Sequence, residues 1–222
     1  MNCCPSPEPE RSGTDRFFST CSKKYLKTFR RKGLGKEQRQ LVEGMTRVPL
    51  NGTSILEIGC GVGGLLLSLL QKGATRATGI DISEGMIDGA RLLSKELKLD
   101  DRTTYYVGDF VAKESDLQAS DIVILDKVIC CYEDVGRLID KSLSKAGRIY
   151  ALTFPNPTRL MKYWFSLIII VAKTLRWTFR PYWHDWDAIL MQIERAGFKP
   201  SYHNSTLSWA VHVFERIQPA RS

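Results

Sequence analysis

The glycine-rich stretch at residues 53–64 constrains the fold more than any other part of this chain. An apolar, β-branched run at residues 53–58 leads into four glycines, and a long apolar run at residues 65–70 follows directly. This order predicts a strand, a tight turn and a helix. Glycine is needed in such a turn because the backbone must reach positive φ and let a ligand approach closely. The stretch therefore predicts an α/β unit with a ligand above its first turn.

A second predicted strand, at residues 76–80, ends in Asp81. A carboxylate at the tip of the neighbouring parallel strand is well placed to accept hydrogen bonds from two ribose hydroxyls, so the site is predicted to bind a nucleoside. The glycines satisfy both G-x-G-x-x-G and G-x-G-x-G: Gly59, Gly61, Gly63 and Gly64. The glycine pattern alone leaves the kind of nucleoside open.

The neighbours of the glycines favour one class of ligand. Glu57 lies two residues before the first glycine, where its charge would repel a pyrophosphate and attract a cationic ligand. Residues 57–63 resemble the first motif of the class I S-adenosylmethionine-dependent methyltransferases. The resemblance continues through residues 79–83, 107–110 and 121–126, and it covers roughly residues 50–155.

The resemblance implies a Rossmann-like, doubly wound α/β fold. Its sheet would have about seven strands, mostly parallel, with an antiparallel C-terminal hairpin and helices on both faces. The implied cofactor is S-adenosyl-L-methionine, and the implied cofactor-binding residues are Glu57, Gly59, Cys60, Gly61, Gly63, Asp81, Ile82, Met86, Asp109, Phe110 and Asp126. Glu57 would lie near the cationic end and Asp81 on the ribose. Asp109 would accept from the adenine amino group while Phe110 flanks the ring.

Methyl transfer from a sulfonium is an in-line displacement, so the protein must chiefly position the reactants and exclude water. The six cysteines have no C-x-x-C spacing and the three histidines are dispersed, so no metal site is expected. If the acceptor arrives protonated, the candidate bases are Tyr132, in the loop after the fourth strand, and His184, at the end of an apolar insert. Packing by Tyr132 and helix capping or surface exposure of His184 are the alternatives.

The apolar insert spans residues 161–172 and lies among basic residues: Arg159, Lys162, Lys173, Arg176 and Arg180. Crossing a bilayer takes about 20 apolar residues, so this run is too short to span one. Three interpretations stay open: a lid over an apolar acceptor, a segment on a membrane surface, or a core helix. Residues 153–155, with the insert and the terminal hairpin, resemble magnesium-protoporphyrin carboxyl methyltransferases. Tetrapyrrole, quinone, lipid and polyketide acceptors all stay open.

The length of 222 residues fits one α/β domain with modest additions. We predict a disordered N-terminus at residues 1–14, helices covering the cofactor side at residues 15–47, and a methyltransferase domain at residues 48–217 with a lid-like insert at about 156–186. The net charge of +8 favours anionic partners, including an anionic membrane face. No RNA-binding motif is visible, so nucleic acid is not an expected partner. The start has no secretory signal, which predicts a cytoplasmic protein and leaves peripheral membrane contact open.

Three functions can therefore be compared with the structure. The leading hypothesis is methyl transfer to a small, probably apolar molecule. The second is a nicotinamide-dependent oxidoreductase, based on the glycine pattern, although little sequence remains for a substrate domain. The third is a non-catalytic, membrane-associating module that uses residues 161–180.

Overall fold

A computed structural model describes residues 8–174 and 181–217 of the chain. Its centre is a seven-stranded sheet with helices on both faces. The strands are β1 (Ser54–Ile58), β2 (Arg76–Asp81), β3 (Thr103–Val107), β4 (Ser120–Asp126), β5 (Ala146–Pro155), β6 (Phe198–Ser205) and β7 (Trp209–Arg216). The helices are α1 (Glu8–Lys32), α2 (Lys36–Met45), α3 (Gly64–Gln71), α4 (Glu84–Glu96), α5 (Phe110–Lys113), α6 (Val135–Lys145), α7 (Arg159–Thr174) and α8 (Trp186–Arg195).

The strands lie in the order β3-β2-β1-β4-β5-β7-β6. Strands β1 to β5 are parallel to one another, and β7 is antiparallel to both β5 and β6. Long connections that contain helices allow the parallel pairs, whereas the short link at residues 206–208 can join only antiparallel strands. The predicted doubly wound sheet with its antiparallel C-terminal hairpin is confirmed.

Strand β4 shows why the central apolar runs have no polar alternation. Ile122 and Ile124 pack in the core that includes side chains of α2, α3 and α4. Val123 and Leu125 face the other way, into the core that includes side chains of α6 and α8. A parallel strand that is buried on both faces needs apolar residues at successive positions, as this sequence has.

The N-terminus differs from the prediction of disorder over residues 1–14, because α1 begins at Glu8. Pro9 is tolerated in the first turn of a helix, where the missing N–H would have no partner within the helix. Residues 1–7 lie outside the described part of the chain, and the remaining domain limits stay predictions.

The apolar insert forms α7, and none of the side chains described on this helix is buried. Tyr163 is 77% exposed and Trp164 is 58% exposed, so the interpretation of this helix as a core helix is wrong. Amphipathic helices bury one stripe against a core, whereas α7 is only half-buried along its inner side, where the ring of Phe165 lies 5.5 Å from that of Trp183. Within residues 8–174 and 181–217, no helix is both long and apolar enough to cross a membrane. Arg176 and Arg180 lie outside the described residues.

Candidate cofactor and acceptor site

A pocket of about 710 Å³ opens at the carboxyl ends of strands β1 to β4. The chain leaves β1 toward β2 on one side and reaches β4 on the other, so the strand order reverses at this point. Ligands of open α/β sheets bind at such a switch point. Helix α1 and the start of α2 cover the pocket, and its volume lies in the range of small-molecule sites.

The glycine turn has the positive φ angles that the sequence predicts, with Gly59 at +67°, Gly61 at +53° and Gly63 at +74°. A Cβ atom at Gly59 would lie 2.3 Å from a methyl carbon of Val128, whereas one at Gly61 would meet no atom within 4 Å. The turn therefore needs glycine for its backbone, and the space in front of Gly61 is open to a ligand.

The amides of this turn are bonded within the protein. Gly59 and Cys60 donate to the carbonyl of Ile80 at 2.7 and 3.1 Å, and Gly63 donates to the carbonyl of Cys60 at 2.9 Å. The amide of Gly61 donates to the Asp81 carboxylate. The turn therefore contributes room for a ligand, while side-chain carboxylates supply most of the ligand-facing polar groups.

Asp81 lies at the tip of β2 and is nearly buried. One carboxylate oxygen accepts from the amide of Gly61 at 2.8 Å, and the other accepts from the amide of Ser83 at 2.9 Å. Burial raises the pKa of this carboxyl, while the two amides oppose the rise. A carboxylate has about four acceptor positions, so two remain for a pair of hydroxyls.

Glu57 is the most buried acidic group of the pocket, at 2% exposure. Its carboxylate accepts from the amide of Leu66 at 3.1 Å. Burial, and then the negative charge of Asp126, raise the pKa of Glu57 well above its usual range. A cation placed beside Glu57 would favour the ionised carboxylate and reverse this effect.

Asp109 follows β3 and begins α5, where its carboxylate accepts from the amide of Val111 at 3.1 Å. The hydroxyl of Tyr132 donates to both oxygens of the same carboxylate, at 3.1 and 3.2 Å. Phe110 is buried beside them and lines the pocket. The structure thus directs the Tyr132 hydroxyl toward the end of β3.

Asp126 ends β4 and is held by two donors. Gln38 of α2 donates to one oxygen at 2.8 Å, and the hydroxyl of Thr153 on β5 donates to the other at 2.6 Å. These bonds tie α2, β4 and β5 together at the edge of the pocket. Ile82 and Met86 also line the pocket, as the sequence predicts.

A family model for the methyltransferase domain matches residues 55–146, which run from β1 to the first residue of β5. The ubiquinone biosynthesis O-methyltransferase of Bartonella tribocorum is 30% identical over 156 residues, covering 68% of this chain and 60% of that protein. The protein of the same name from Caulobacter vibrioides is 31% identical, and the match covers 70% of this chain and 61% of that protein. The chain spans 38% of the Coxiella burnetii protein of that name, with 32% identity. It thus spans less than two thirds of these relatives' lengths.

Residues 55–146 therefore belong to a methyltransferase domain family.

Solved structures have the same fold as this chain. Magnesium protoporphyrin IX methyltransferase from Synechocystis PCC 6803, with bound S-adenosylmethionine, superposes with a TM-score of 0.68, at 20% identity and over 98% of this chain and 100% of that chain. A putative sarcosine dimethylglycine methyltransferase from Galdieria sulphuraria gives a TM-score of 0.64 at 13% identity. The match covers 81% of this chain and 84% of that chain. At these identities the likeness concerns the fold.

The residues of the pocket fit S-adenosylmethionine. Glu57 offers a buried carboxylate for a cation, and Asp81 keeps acceptor positions for a ribose. The open space in front of Gly61 leaves room for the ligand. Of the eleven residues predicted to bind the cofactor, only Gly63 is outside the pocket lining. It is the N-cap of α3, and a Cβ atom there would face Tyr105 and Ala90.

His184 is the one candidate base that lies outside the pocket lining. Burial lowers the pKa of its imidazole. Tyr182, two residues earlier, does line the pocket, and its amide donates to the carbonyl of Cys130 at 2.7 Å. The segment that carries His184 is therefore tied to the loop that carries Tyr132.

The sequence predicted helices over the cofactor side at residues 15–47 but did not reveal which of their residues line the pocket. Tyr25, Glu37 and Gln38 all line it, together with Lys127. Their contacts join residues 88 to 90 positions apart along the chain. For Lys127 one signal existed, namely its place directly after Asp126 at the end of a buried strand.

Proposed function

We propose that this methyltransferase transfers a methyl group from S-adenosylmethionine to a small, largely apolar acceptor. A single observation carries the proposal: the pocket that holds Glu57 and Asp81 extends past Asp126 to a second region beneath α1 and α2. The cofactor supplies an activated methyl group, so the protein has to align the two reactants and exclude water.

The residues of the chain have separate tasks in this proposal. Asp81 would accept from two ribose hydroxyls, and Glu57 would stabilise the cationic end of the cofactor. Phe18, Tyr25 and Phe29 of α1 line the pocket from above and would keep water out during transfer. Tyr132 stays a candidate base, although its hydroxyl donates to Asp109 in the structure.

The names of similar proteins support a small acceptor. Two of the sequence relatives are ubiquinone biosynthesis O-methyltransferases, and a protein of like fold is a magnesium protoporphyrin IX methyltransferase. Those names denote small-molecule acceptors. Aromatic side chains from α1 in the covered part of the pocket agree with an apolar one.

Thermal unfolding with S-adenosylhomocysteine, and separately with NADH, tests the cofactor. At a ligand concentration 100 times Kd, binding stabilises a protein by about 2.7 kcal/mol, which raises the Tm of a chain of this size by several degrees. We expect that rise with S-adenosylhomocysteine alone. Gly61→Arg should abolish it, because the new side chain would enter the open space above the turn.

Gly52→Arg is the matched control, since Gly52 also has positive φ and open space around it but lies outside the pocket lining. This variant should keep the ligand response. A rise with NADH alone would overturn the proposal in favour of the oxidoreductase hypothesis.

We also propose that α7 rests on an anionic membrane surface, through which an apolar acceptor could reach the pocket. Its exposed large apolar side chains are Leu160, Tyr163, Trp164, Leu167, Ile168 and Ile170. Arg159 and Lys162 lie at the start of the same helix and are exposed. Exposed aromatic and aliphatic residues beside basic ones favour the boundary between headgroups and acyl chains.

Co-sedimentation with phosphatidylglycerol vesicles tests this contact. We expect the protein to pellet with them and to lose most of that pelleting in the double variant Tyr163→Ser/Trp164→Ser. Leu207→Ser removes an equally exposed apolar side chain outside α7 and should have no effect. Equal pelleting of all three proteins would contradict a role for α7.

A further inference from the structure

Lys127 has a backbone conformation that is unusual for its side chain. Its φ is +61°, and among the described non-glycine residues only Lys98 shares a positive value. Lys98 follows the last residues of α4, where helices commonly end in the left-handed conformation. Lys127 follows a strand instead, so its conformation has no such ordinary cause. Strained residues of this kind cluster at functional sites.

Two buried hydrogen bonds hold the turn in this conformation. The amide of Lys127 donates to the hydroxyl oxygen of Thr153 at 2.9 Å, and that hydroxyl donates to Asp126 at 2.6 Å. Thr153 is fully buried in β5. The turn after β4 is therefore fixed by the neighbouring strand, and it determines where the Lys127 side chain emerges.

The side chain emerges in the half of the pocket away from Asp81 and Asp109. Its ammonium group pairs with the carboxylate of Glu37, in the first turn of α2, and lies 5.4 Å from the ring centroid of Trp209, at the start of β7. Asp81 and Asp109 lie at the ends of β2 and β3, on the opposite side of β1. A ligand that meets this ammonium therefore lies beside the cofactor region rather than within it.

The ammonium group keeps its charge and has donors to spare. Burial opposes the charge, but the carboxylates of Asp126 and Glu37 outweigh that effect and raise the pKa of Lys127. An ammonium group has three N–H donors, and Glu37 takes one of them among the described residues. The Lys127 side chain is 34% exposed, so a ligand can reach the others.

We propose that Lys127 binds an anionic oxygen group, a carboxylate or phenolate, on the methyl acceptor and so selects acidic acceptors. Glu37 keeps the ammonium group in place before the acceptor arrives. Gly35 leaves room for that carboxylate, because a Cβ atom there would lie 2.8 Å from an oxygen of Glu37. This inference rests on the proposed methyltransferase function and adds the acceptor's charge to it.

The experiment compares two probes that differ in charge, 1-hydroxy-2-naphthoate and its methyl ester. Each is titrated by calorimetry into the full-length protein saturated with S-adenosylhomocysteine. The wild type should bind the acid about tenfold more tightly than the ester, since a charge-assisted hydrogen bond is lost with the ester. In Lys127→Met the preference should fall below about threefold, and in Lys127→Arg it should persist.

Lys145→Met is the matched control. Lys145 also forms a partly buried ion pair, 2.6 Å from Glu114, but lies outside the pocket lining. This variant should keep the acid preference. The affinity for S-adenosylhomocysteine should stay within about twofold in all variants, which also shows that they fold.

Two results would overturn the inference. One is an acid preference that is absent in the wild type or unchanged in Lys127→Met. The other is a loss of S-adenosylhomocysteine affinity in Lys127→Met, which would assign the ammonium group to the cofactor. If the wild type does not bind S-adenosylhomocysteine, the proposed function itself fails, and this outcome is distinct from the other two.

Discussion

At the scale of single residues, Gly59 shows how one position can carry two constraints. Its φ of +67° disfavours any side chain, and a Cβ atom would also overlap Val128. Gly52 has a similar φ of +79° but open space around it. The two glycines therefore separate the cost of backbone conformation from the cost of a steric clash.

We predict that Gly59→Ala lowers the free energy of unfolding by roughly 2–5 kcal/mol, the sum of a left-handed backbone and an overpacked contact. Gly52→Ala should cost only about 1–2 kcal/mol, because only the backbone term applies. Urea unfolding of both variants measures the difference. Equal losses would show that Val128 moves aside at little cost.

Glu57 makes the stability of the ligand-free protein depend on pH. Its raised pKa means that the native carboxyl still holds a proton where the unfolded carboxyl, with a pKa of about 4.3, has released it. Stability therefore falls as pH rises from the unfolded pKa through the folded pKa. The slope for one proton is at most about 1.4 kcal/mol per pH unit.

We predict that Glu57→Gln removes this contribution, since the amide oxygen can still accept from Leu66 without a charge. The variant should gain stability relative to the wild type between pH 5 and pH 8 in urea unfolding. Glu114→Gln is a comparison in which the pH dependence of stability should have the opposite sign, because Lys145 lowers the pKa of Glu114. That variant should be less stable than the wild type at pH 7. The difference should shrink as the pH falls, because Glu114 becomes protonated in the wild type. Parallel curves for wild type and Glu57→Gln would contradict the prediction.

At the scale of elements, α1 covers the pocket by docking on the start of α4. The hydroxyl of Ser19 lies 2.8 Å from that of Ser83, and it accepts from the amide of Gly85 at 3.2 Å. Asp15 accepts from the amide of Glu84 at 3.3 Å. Helix α1 thereby satisfies first-turn amides of α4 that have no partner within that helix.

We predict that Ser19→Ala loosens α1 by about 1–2 kcal/mol, because the Gly85 amide loses its partner. Amide hydrogen exchange in α1 should become faster, and S-adenosylhomocysteine should bind a few times more weakly. Thr20→Ala is the control, since the Thr20 hydroxyl bonds only to the carbonyl of Arg16 among the described residues. Unchanged exchange in Ser19→Ala would show that apolar contacts alone hold α1.

At the scale of the whole molecule, the two cores share the strands of one sheet. Ile124 in the central strand is fully buried, whereas Ile168 in α7 is 42% exposed. The sheet and its covering helices should therefore unfold together, with α7 adding little to the transition.

We predict that Ile124→Ala lowers the free energy of unfolding by roughly 2–5 kcal/mol, because it leaves a cavity in a packed core. Ile168→Ala should change it by less than about 0.5 kcal/mol. Urea unfolding followed by tryptophan fluorescence and by far-UV circular dichroism should give coincident midpoints for each protein. A large loss in Ile168→Ala would mean that α7 packs more tightly than the structure shows.

Much of the cofactor half of the site could be predicted from sequence because its parts are local. The turn after β1 and the carboxylate after β2 each follow a strand directly, and parallel strands bring their carboxyl ends to one edge. His184 shows the limit of this reasoning. Its place after the apolar insert suggested the pocket, but it lies outside the pocket lining, whereas Tyr182, two residues earlier, is part of it.

The sheet, the glycine turn and the carboxylates beside it follow from short stretches of sequence, since strand periodicity and positive φ are local properties. By contrast, the contact of Glu37 with Lys127, 90 residues further along the chain, and the position of α7 on the surface depend on tertiary packing. Those outcomes depend on which surfaces compete for burial once the sheet has formed. A short sequence pattern cannot predict which of these surfaces becomes buried.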